Sequence, residues 1–265
     1  MKTKGKLMDI EGKIADTLTK IYEKKLFDIV KSGKMPEHVA VIMDGNRRYA
    51  LDLGLDPVEG HYLGKEKLYE FLNWCIELNI KIVTVYAFST ENLKRSSREV
   101  EFLMKLFEES IDKELREGRI HKERVKVRVI GRRDILPEHL KKKIDEIENA
   151  TKDYDRYILN LAIGYGGREE ILKAIRDISR EVLEGKISPE GIDEEVVKKH
   201  LYTKDLPDPD LILRTSGEER ISNFLLWQMA YSELYFADVY WPSFSKIDFL
   251  RAILSYQKRE RRFGK

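Results

Sequence analysis

Cysteine is nearly absent. Cys75 stands alone among 265 residues, which excludes a disulfide framework and a thiolate metal site. It lies among Phe71, Leu72 and Leu78 at helical spacing, a core position for a small apolar thiol. Charge imbalance is absent too. With a net charge of +2 and 36% charged residues, the chain lacks the strongly basic face of a nucleic-acid binder. Clusters such as Lys141-Lys-Lys143 and the arginines of 259–262 read as solvated helix faces. No apolar run approaches the roughly 20 residues of a membrane span. The first residues are polar and soon acidic, unlike a signal peptide, so the expected location is cytoplasmic. Repeats, low-complexity tracts and domain linkers are missing, as are the Walker lysine motif, the nucleophile elbow and zinc-ligand spacing. What remains is 42% hydrophobic and long enough to bury one substantial core. We expect one domain over 1–265, with an N-terminal helix in 1–35 and the core in 36–265.

Short apolar runs alternate with helical patterns. Runs at 39–43, 81–88, 125–130, 157–163, 210–213 and 234–236 predict six strands. Helical periodicity predicts helices over 8–31, from Gly60 to about 78, over 99–118, from Pro137 onward, over 168–183, up to about 201, over 224–229 and over 246–262. In the first, Ile14, Leu18, Ile21 and Ile29 share one side. Its lysine-rich polar face suits a membrane surface, though packing on its own domain is the commoner fate. Alternating strands and helices imply an α/β fold: a mainly parallel six-stranded central sheet flanked by helices.

In such a sheet the loops that bind ligands gather at the carboxyl ends of the strands. The first strand stops at Asp44-Gly45-Asn46, followed by Arg47 and Arg48. Asp44 could hold a divalent cation while the arginines grip its anion, or it could form an Asx-turn capping the next helix. The second strand ends in Ser89-Thr-Glu-Asn92, with Arg95 and Arg98 beyond. The glycine loop at 164–167 is a weak phosphate signal because its spacing is not Gly-x-Gly-x-x-Gly. The fifth strand runs into Arg214-Thr-Ser-Gly-Glu-Glu-Arg-Ile-Ser222, a basic, hydroxyl-rich loop suited to a diphosphate. His61 falls near a helix amino end, where free N–H groups attract anions. Glu233 sits among aromatics, which is costly unless it is paired or metal-bound. Many phosphate-type ligands beside few acids suggest two anionic groups held with one cation.

These blocks resemble the cis-prenyltransferases, the undecaprenyl diphosphate synthase family. The resemblance rests on His38-Val-Ala-Val-Ile-Met-Asp-Gly-Asn-Arg-Arg48, Tyr86-Ala-Phe-Ser-Thr-Glu-Asn92, Gly164-Tyr-Gly-Gly-Arg168, Arg214-Thr-Ser-Gly-Glu through Ser222-Asn-Phe-Leu-Leu-Trp-Gln228, Glu233-Leu-Tyr-Phe and the closing Arg-Glu-Arg-Arg-Phe-Gly264. It extends from about residue 36 to the end. It implies successive cis condensation of isopentenyl diphosphate onto an allylic diphosphate, making a long-chain polyprenyl diphosphate for glycosyl carrier lipid. It also implies Mg2+ and a homodimer whose subunits each carry a hydrophobic tunnel, with peripheral membrane contact for product release. By position, Asp44 is the carboxylate of the magnesium-diphosphate, with Gly45, Asn46, Arg47, Arg48 and His61 around the allylic diphosphate. Arg214, Arg220 and Ser222 hold isopentenyl diphosphate, and Glu233 completes the metal environment, near the dimer interface. Phe88, Ser89, Thr90, Glu91, Asn92, Leu93 and Arg95, with Glu99, match the segment that closes over substrate. Arg262 and Gly264 reach the partner subunit's phosphates.

Asn46, Ser89 or a diphosphate oxygen could take the proton lost in each condensation, and the sequence leaves all three open. Two positions depart from the bacterial pattern. Pro57 stands where many relatives have arginine, and Glu219 where bacterial members often have a histidine near the metal. The Arg47-Arg48-Tyr49 version and the Pro57 departure resemble archaeal and eukaryotic members more than bacterial ones, and that likeness points to a geranylgeranyl or farnesyl primer. Ala87 and Tyr157 are tunnel-wall positions by resemblance. Two other classes compete: a non-catalytic subunit of a two-component synthase, which lacks the aspartate block, and a binding protein for prenyl lipids or nucleotide diphosphates. Asp44 together with Arg262 and Gly264 in one chain favours a self-sufficient enzyme.

Overall fold

A computed structural model gives the structure over residues 2–259, with side chains from residue 15 onward. The chain runs α1 (Lys2–Ser32), β1 (His38–Ile42), α2 (Asn46–Asp52), α3 (Pro57–Glu77), β2 (Ile82–Ser89), a 3-10 turn (Thr90–Lys94), α4 (Ser97–Glu117) and α5 (Arg119–Lys122). It continues through β3 (Val125–Ile130), α6 (Glu138–Thr151), β4 (Tyr157–Tyr165), α7 (Gly167–Leu183), α8 (Glu194–Lys199), β5 (Leu211–Arg214), β6 (Glu233–Phe236) and α9 (Lys246–Lys258). All six strands pair in parallel, in the order β3-β4-β2-β1-β5-β6. Helices cover both faces, so β1 is buried at every position, which is why its sequence after His38 is an unbroken apolar run. β2 and β5 flank β1 on opposite sides. The chain therefore leaves β1 in one direction and comes back on the other side, so the loops after β1 and β5 open a crevice at the carboxyl rim.

On one face Phe71 and Trp74 of α3 pack with Trp241, Phe244 and Phe249. On the other, Tyr165, Phe224 and Leu225 pack against Ala40 and Ile212. α2 and α3 cross closely. A Cβ at Gly60 would lie 2.0 Å from the Asn46 carbonyl oxygen, and one at Gly64 2.2 Å from Asn46 Oδ1. The Gly60-His-Tyr-Leu-Gly64 stretch is thus a contact face for α2, and it locates both Asn46 and His61.

Two expectations need correction. Among the described side chains of α1, Leu26 and Val30 are buried and join the core beside Phe249 and Ile253 of α9. Leu18, Ile21 and Ile29 are exposed, and the side chain of Ile14 lies outside the described residues. The helix does pack on its own domain, but through a face turned away from the apolar stripe. The segment 224–229 is not a helix: turns lead into a 3-10 turn, Gln228–Tyr231. Positive φ angles at Ser222, Asn223 and Leu225 (48°, 63° and 45°) break the helical path.

Candidate active site at the carboxyl rim

Gly45 makes the turn after β1. Its φ is 100°, and a Cβ there would meet the Tyr240 ring at 2.6 Å, so no side chain fits. Gly45, not Asp44, is the N-cap of α2, which removes the capping role for Asp44. The Asp44 carboxylate instead accepts from Gly45 N–H (2.7 Å) and from Arg214 Nη2 (2.6 Å), with Arg48 Nη2 at 3.5 Å. Burial opposes its ionisation, but the hydrogen bond and charge of Arg214, helped by Gly45 N–H and Arg48, outweigh it and hold the carboxyl below its ordinary value. Arg214 is 4% exposed. Its Nη1 donates to Ser222 Oγ (2.7 Å) and to the Arg220 carbonyl, so one guanidinium joins the β1 rim to the far end of the loop after β5.

That loop is folded by its own polar groups. The Thr215 hydroxyl donates to the Asp44 carbonyl (2.7 Å) and accepts from Asp44 N–H (3.0 Å). Arg48 donates to Ser216 Oγ (2.7 Å) and Glu218 (3.0 Å), and Arg220 also pairs with Glu218. Sequence reasoning named Glu219 for this neighbourhood; Glu219 is exposed, and Glu218 makes the contacts.

At the end of β2 the register with β4 shifts between Tyr86 and Ser89, an irregularity of the kind that re-aims side chains beside sites. Ser89 then caps the 3-10 turn reciprocally with Asn92. Arg95 donates to Glu99 (2.9 Å), which also meets His61 Nε2 (3.0 Å) and Arg47 (3.7 Å). Burial, with Arg95 and Arg47 nearby, keeps His61 below its usual pKa despite its bond to Glu99. α3 begins at Pro57, with Asp56 accepting from Val58 N–H. His61 is therefore the fifth helical residue, past the free N–H groups predicted to surround it. Pro57 itself occupies the first helical position, which proline favours. Asn223, which sequence reasoning missed as a site residue, ties the walls together: its amide donates to Glu91 (2.9 Å), and its oxygens accept from Arg168 N–H (2.9 Å) and Gly167 N–H (2.7 Å). Arg168, the second residue of α7, was quoted in a motif but not named as a site residue.

These groups border one cleft. Arg95, Arg168, Arg214 and Arg220 line it with Ser89, Asn92 and Ser222, against the carboxylates Asp44 and Glu91. Asn46 and His61 line both this cleft and a second, apolar cavity of about 180 Å3 between α3, α4 and the sheet. The Asn46 amide donates to the Met43 carbonyl (3.1 Å), while its buried Oδ1 has no hydrogen-bond partner. Ala87, Leu103, Leu161, Ile163 and Tyr157 help form the wall of the apolar cavity. An arginine-lined cleft thus adjoins a hydrocarbon-lined cavity.

Several expected residues stand elsewhere. Phe88 is 1% exposed in the core with Leu103 and Ile163, so it underpins the segment rather than facing the cleft. Leu93 is exposed, and Thr90 bonds to Glu91 (3.2 Å). Glu233 starts β6, level with Leu211 and through it with Val39, at the amino-terminal rim, and it pairs with Arg259 at 2.7 Å. Within this chain it is not brought to Asp44, because parallel strands put their first residues at the opposite edge from their last. Arg262 and Gly264 lie outside the described residues.

Among the described residues no group of three or more His, Cys, Asp or Glu could cage a metal ion. The donor set does fit Mg2+ held by one carboxylate and completed by diphosphate oxygens, the usual way that ion is bound. Asp44, whose carboxyl Arg214 holds below its ordinary value, is 29% exposed and faces the arginine-lined cleft.

A family model described as undecaprenyl diphosphate synthase matches residues 42–264. The tritrans,polycis-undecaprenyl-diphosphate synthase (geranylgeranyl-diphosphate specific) of Thermoplasma acidophilum is 55% identical over 258 residues, 97% of this chain and 100% of that protein. The Thermococcus kodakarensis enzyme of the same name is 58% identical over 244 residues, 92% of each. The solved structure of lavandulyl diphosphate synthase from Lavandula x intermedia in complex with dimethylallyl diphosphate matches with a TM-score of 0.84 at 37% identity, over 87% of this chain and 99% of that one.

Proposed function

Because the chain belongs to the cis-prenyltransferase family of undecaprenyl diphosphate synthases, and so is a prenyltransferase, we propose that it is a (Z)-polyprenyl diphosphate synthase. It adds isopentenyl diphosphate repeatedly to an allylic primer, and each new double bond is cis. The relatives' names favour geranylgeranyl diphosphate as primer. The observation that carries this reading is the continuity of an arginine-rich rim with an apolar cavity through Asn46 and His61.

In each cycle the allylic C1–O bond breaks and diphosphate leaves with the electron pair. A bond forms from the isopentenyl C4 to C1, and a proton leaves the isopentenyl C2. Asp44, with Gly45, Asn46, Arg48 and His61, surrounds the allylic diphosphate; Arg214, Arg220 and Ser222 hold the isopentenyl diphosphate. Arg95 and Arg168 add positive charge where the leaving oxygens become more negative. Bound Mg2+ neutralises part of that charge. Asn46 stands at the junction of headgroup and tail, where the new bond forms, and its unpartnered amide oxygen, the Ser89 hydroxyl or a diphosphate oxygen takes the proton. Fixing both substrates in one crevice supplies a proximity gain of several kcal/mol, on the order of 7.

The working form is a homodimer, supported by the exposed pair Leu172 and Ile175 one turn apart on α7, with Arg262 and Gly264 reaching the partner's phosphates. No helix among the described residues is long and apolar enough to cross a membrane. We place the enzyme in the cytoplasm, touching the membrane peripherally to release a polyprenyl diphosphate destined for glycosyl carrier lipid. The test is incubation with Mg2+, labelled isopentenyl diphosphate and geranylgeranyl, farnesyl or dimethylallyl diphosphate in detergent. Chain-extended product supports the reading, and none from any primer overturns it.

A further inference from the structure

The far end of the apolar cavity differs from the rest of it. α3 and α4 both start at the carboxyl rim, where His61 meets Glu99, and run down the two sides of the cavity. α4 stops at Gly118, whose φ is 68°, and the chain turns into α5, bringing Arg119 and Ile120 across the end of the cavity near Tyr157. From there Arg119 reaches back to α3. Its Nη2 donates to the Tyr69 carbonyl (3.3 Å) and to Asn73 Oδ1, and its guanidinium lies 5.8 Å from the centre of the Tyr69 ring. The Tyr69 side chain lies beside Ser110 and Glu114 of α4, while the Ser110 hydroxyl donates to the Leu106 carbonyl (2.6 Å). Tyr69, Ser110, Glu114 and Arg119 all line the cavity, whereas its upper wall is largely aliphatic. Burial pushes the Tyr69 phenol and the Glu114 carboxyl above their ordinary values. Neither the chemistry at the rim nor the folding of the sheet calls for such a cluster here.

We propose that Arg119 is a product-length residue: its strap from α5 to α3, with the polar groups it gathers, closes the cavity and sets where chain growth stops. This inference rests on the synthase reading. Each added isoprene moves the hydrocarbon tail further from the rim and gains burial while the wall is aliphatic. At the strap that gain ends. The tail must push between the half-buried Arg119, Tyr69 and Glu114 groups that line this end and part Arg119 from the Tyr69 carbonyl, which costs free energy instead of supplying it. Release then outruns the next condensation. Tyr157 bounds the same end from the sheet side as a passive wall, whereas Arg119 closes it through the hydrogen bonds that tie α5 to α3.

The experiment uses the full chain, Mg2+, geranylgeranyl diphosphate and labelled isopentenyl diphosphate, with products resolved by mass. Arg119→Met keeps an apolar stem and removes the strap. Asn73→Leu removes an acceptor while leaving Arg119, and it keeps the test open should the first variant fold poorly. The expected result is a modal product longer by at least one isoprene unit in Arg119→Met and a shift in the same direction in Asn73→Leu, with kcat/KM for the first condensation within about twofold of the parent. A merely structural role would lower that first rate and leave length alone. Unchanged or shorter products from variants that still elongate overturn the inference and leave the synthase reading standing. A parent chain that extends no primer overturns both.

Discussion

Replacing Arg214 tests how the rim is wired. Its guanidinium bonds Asp44 through one nitrogen and Ser222 and the Arg220 carbonyl through another, with 4% of the side chain exposed. Lysine keeps the charge but lacks the planar fork, so it can serve Asp44 or the 220–222 end of the loop, not both. Losing one charge-assisted hydrogen bond is worth about 1.5–3 kcal/mol, or about 10- to 150-fold in kcat/KM. Methionine also leaves Asp44 without its main partner in a half-buried site, a cost of about 3–5 kcal/mol, or about 150- to 5,000-fold. The direction with pH follows from the same bond. Arg214 holds the Asp44 carboxyl down, so its loss lets that pKa rise, and the acid limb of the rate profile moves to higher pH. The assay is steady-state incorporation of labelled isopentenyl diphosphate at saturating primer, measured from neutral into acid. If Arg214→Met stays within about twofold of the parent and its acid limb does not move, the pairing has no part in catalysis.

Other perturbations reach different parts of the account. Burial holds His38 at a pKa of about 4, against an ordinary 6.5, despite its bond to the Pro207 carbonyl and the nearby Asp210. Between those values only the unfolded chain takes the proton, so stability is full above pH 6.5 and falls by about 3 kcal/mol towards pH 4; thermal melts across that window should lose this slope in His38→Gln. Gly64→Ala would put a Cβ 2.2 Å from Asn46 Oδ1. It should cost about 1–3 kcal/mol and raise the KM for primer, read by melting and kinetics together. Tyr157, 6% exposed at the far end of the cavity, is a bulky wall. Tyr157→Ala should lengthen the product at a stability cost of about 3 kcal/mol, and an unchanged chromatographic profile would refute it.

What could be read from the sequence follows from how each part is built. Central parallel strands are written as apolar runs, while the edge strand β3 alternates apolar and charged residues as Val125-Lys-Val-Arg-Val-Ile130; the stretch 125–130 predicts β3 to the residue, and the other strands differ only at their ends. The rim was legible because strand ends are where Asp44, Ser89 and Arg214 stop those runs. The glue between rim loops was not. Thr215, Ser216, Glu218 and Asn223 sit in irregular backbone with no period to betray them, and positive φ at Ser222, Asn223 and Leu225 occurs without a glycine to signal it. Glu233 shows that a motif does not give a residue's place within the chain. Its place in the sequence suggested the metal, but strand polarity puts it at the opposite edge, bonded to Arg259. α1 shows the limit of periodicity, since a helix with two apolar faces does not say which one docks.

The account turns on Asp44 acting through an ion that it shares with diphosphate. Titrating Mg2+ into parent and Asp44→Asn protein that has been stripped with chelator, with geranylgeranyl diphosphate and labelled isopentenyl diphosphate present, measures this directly. The account predicts no product without Mg2+, full recovery in the parent, and a loss on the order of a thousandfold in Asp44→Asn at every Mg2+ concentration. Elongation by the stripped parent, or parent-like rates from Asp44→Asn, would contradict it.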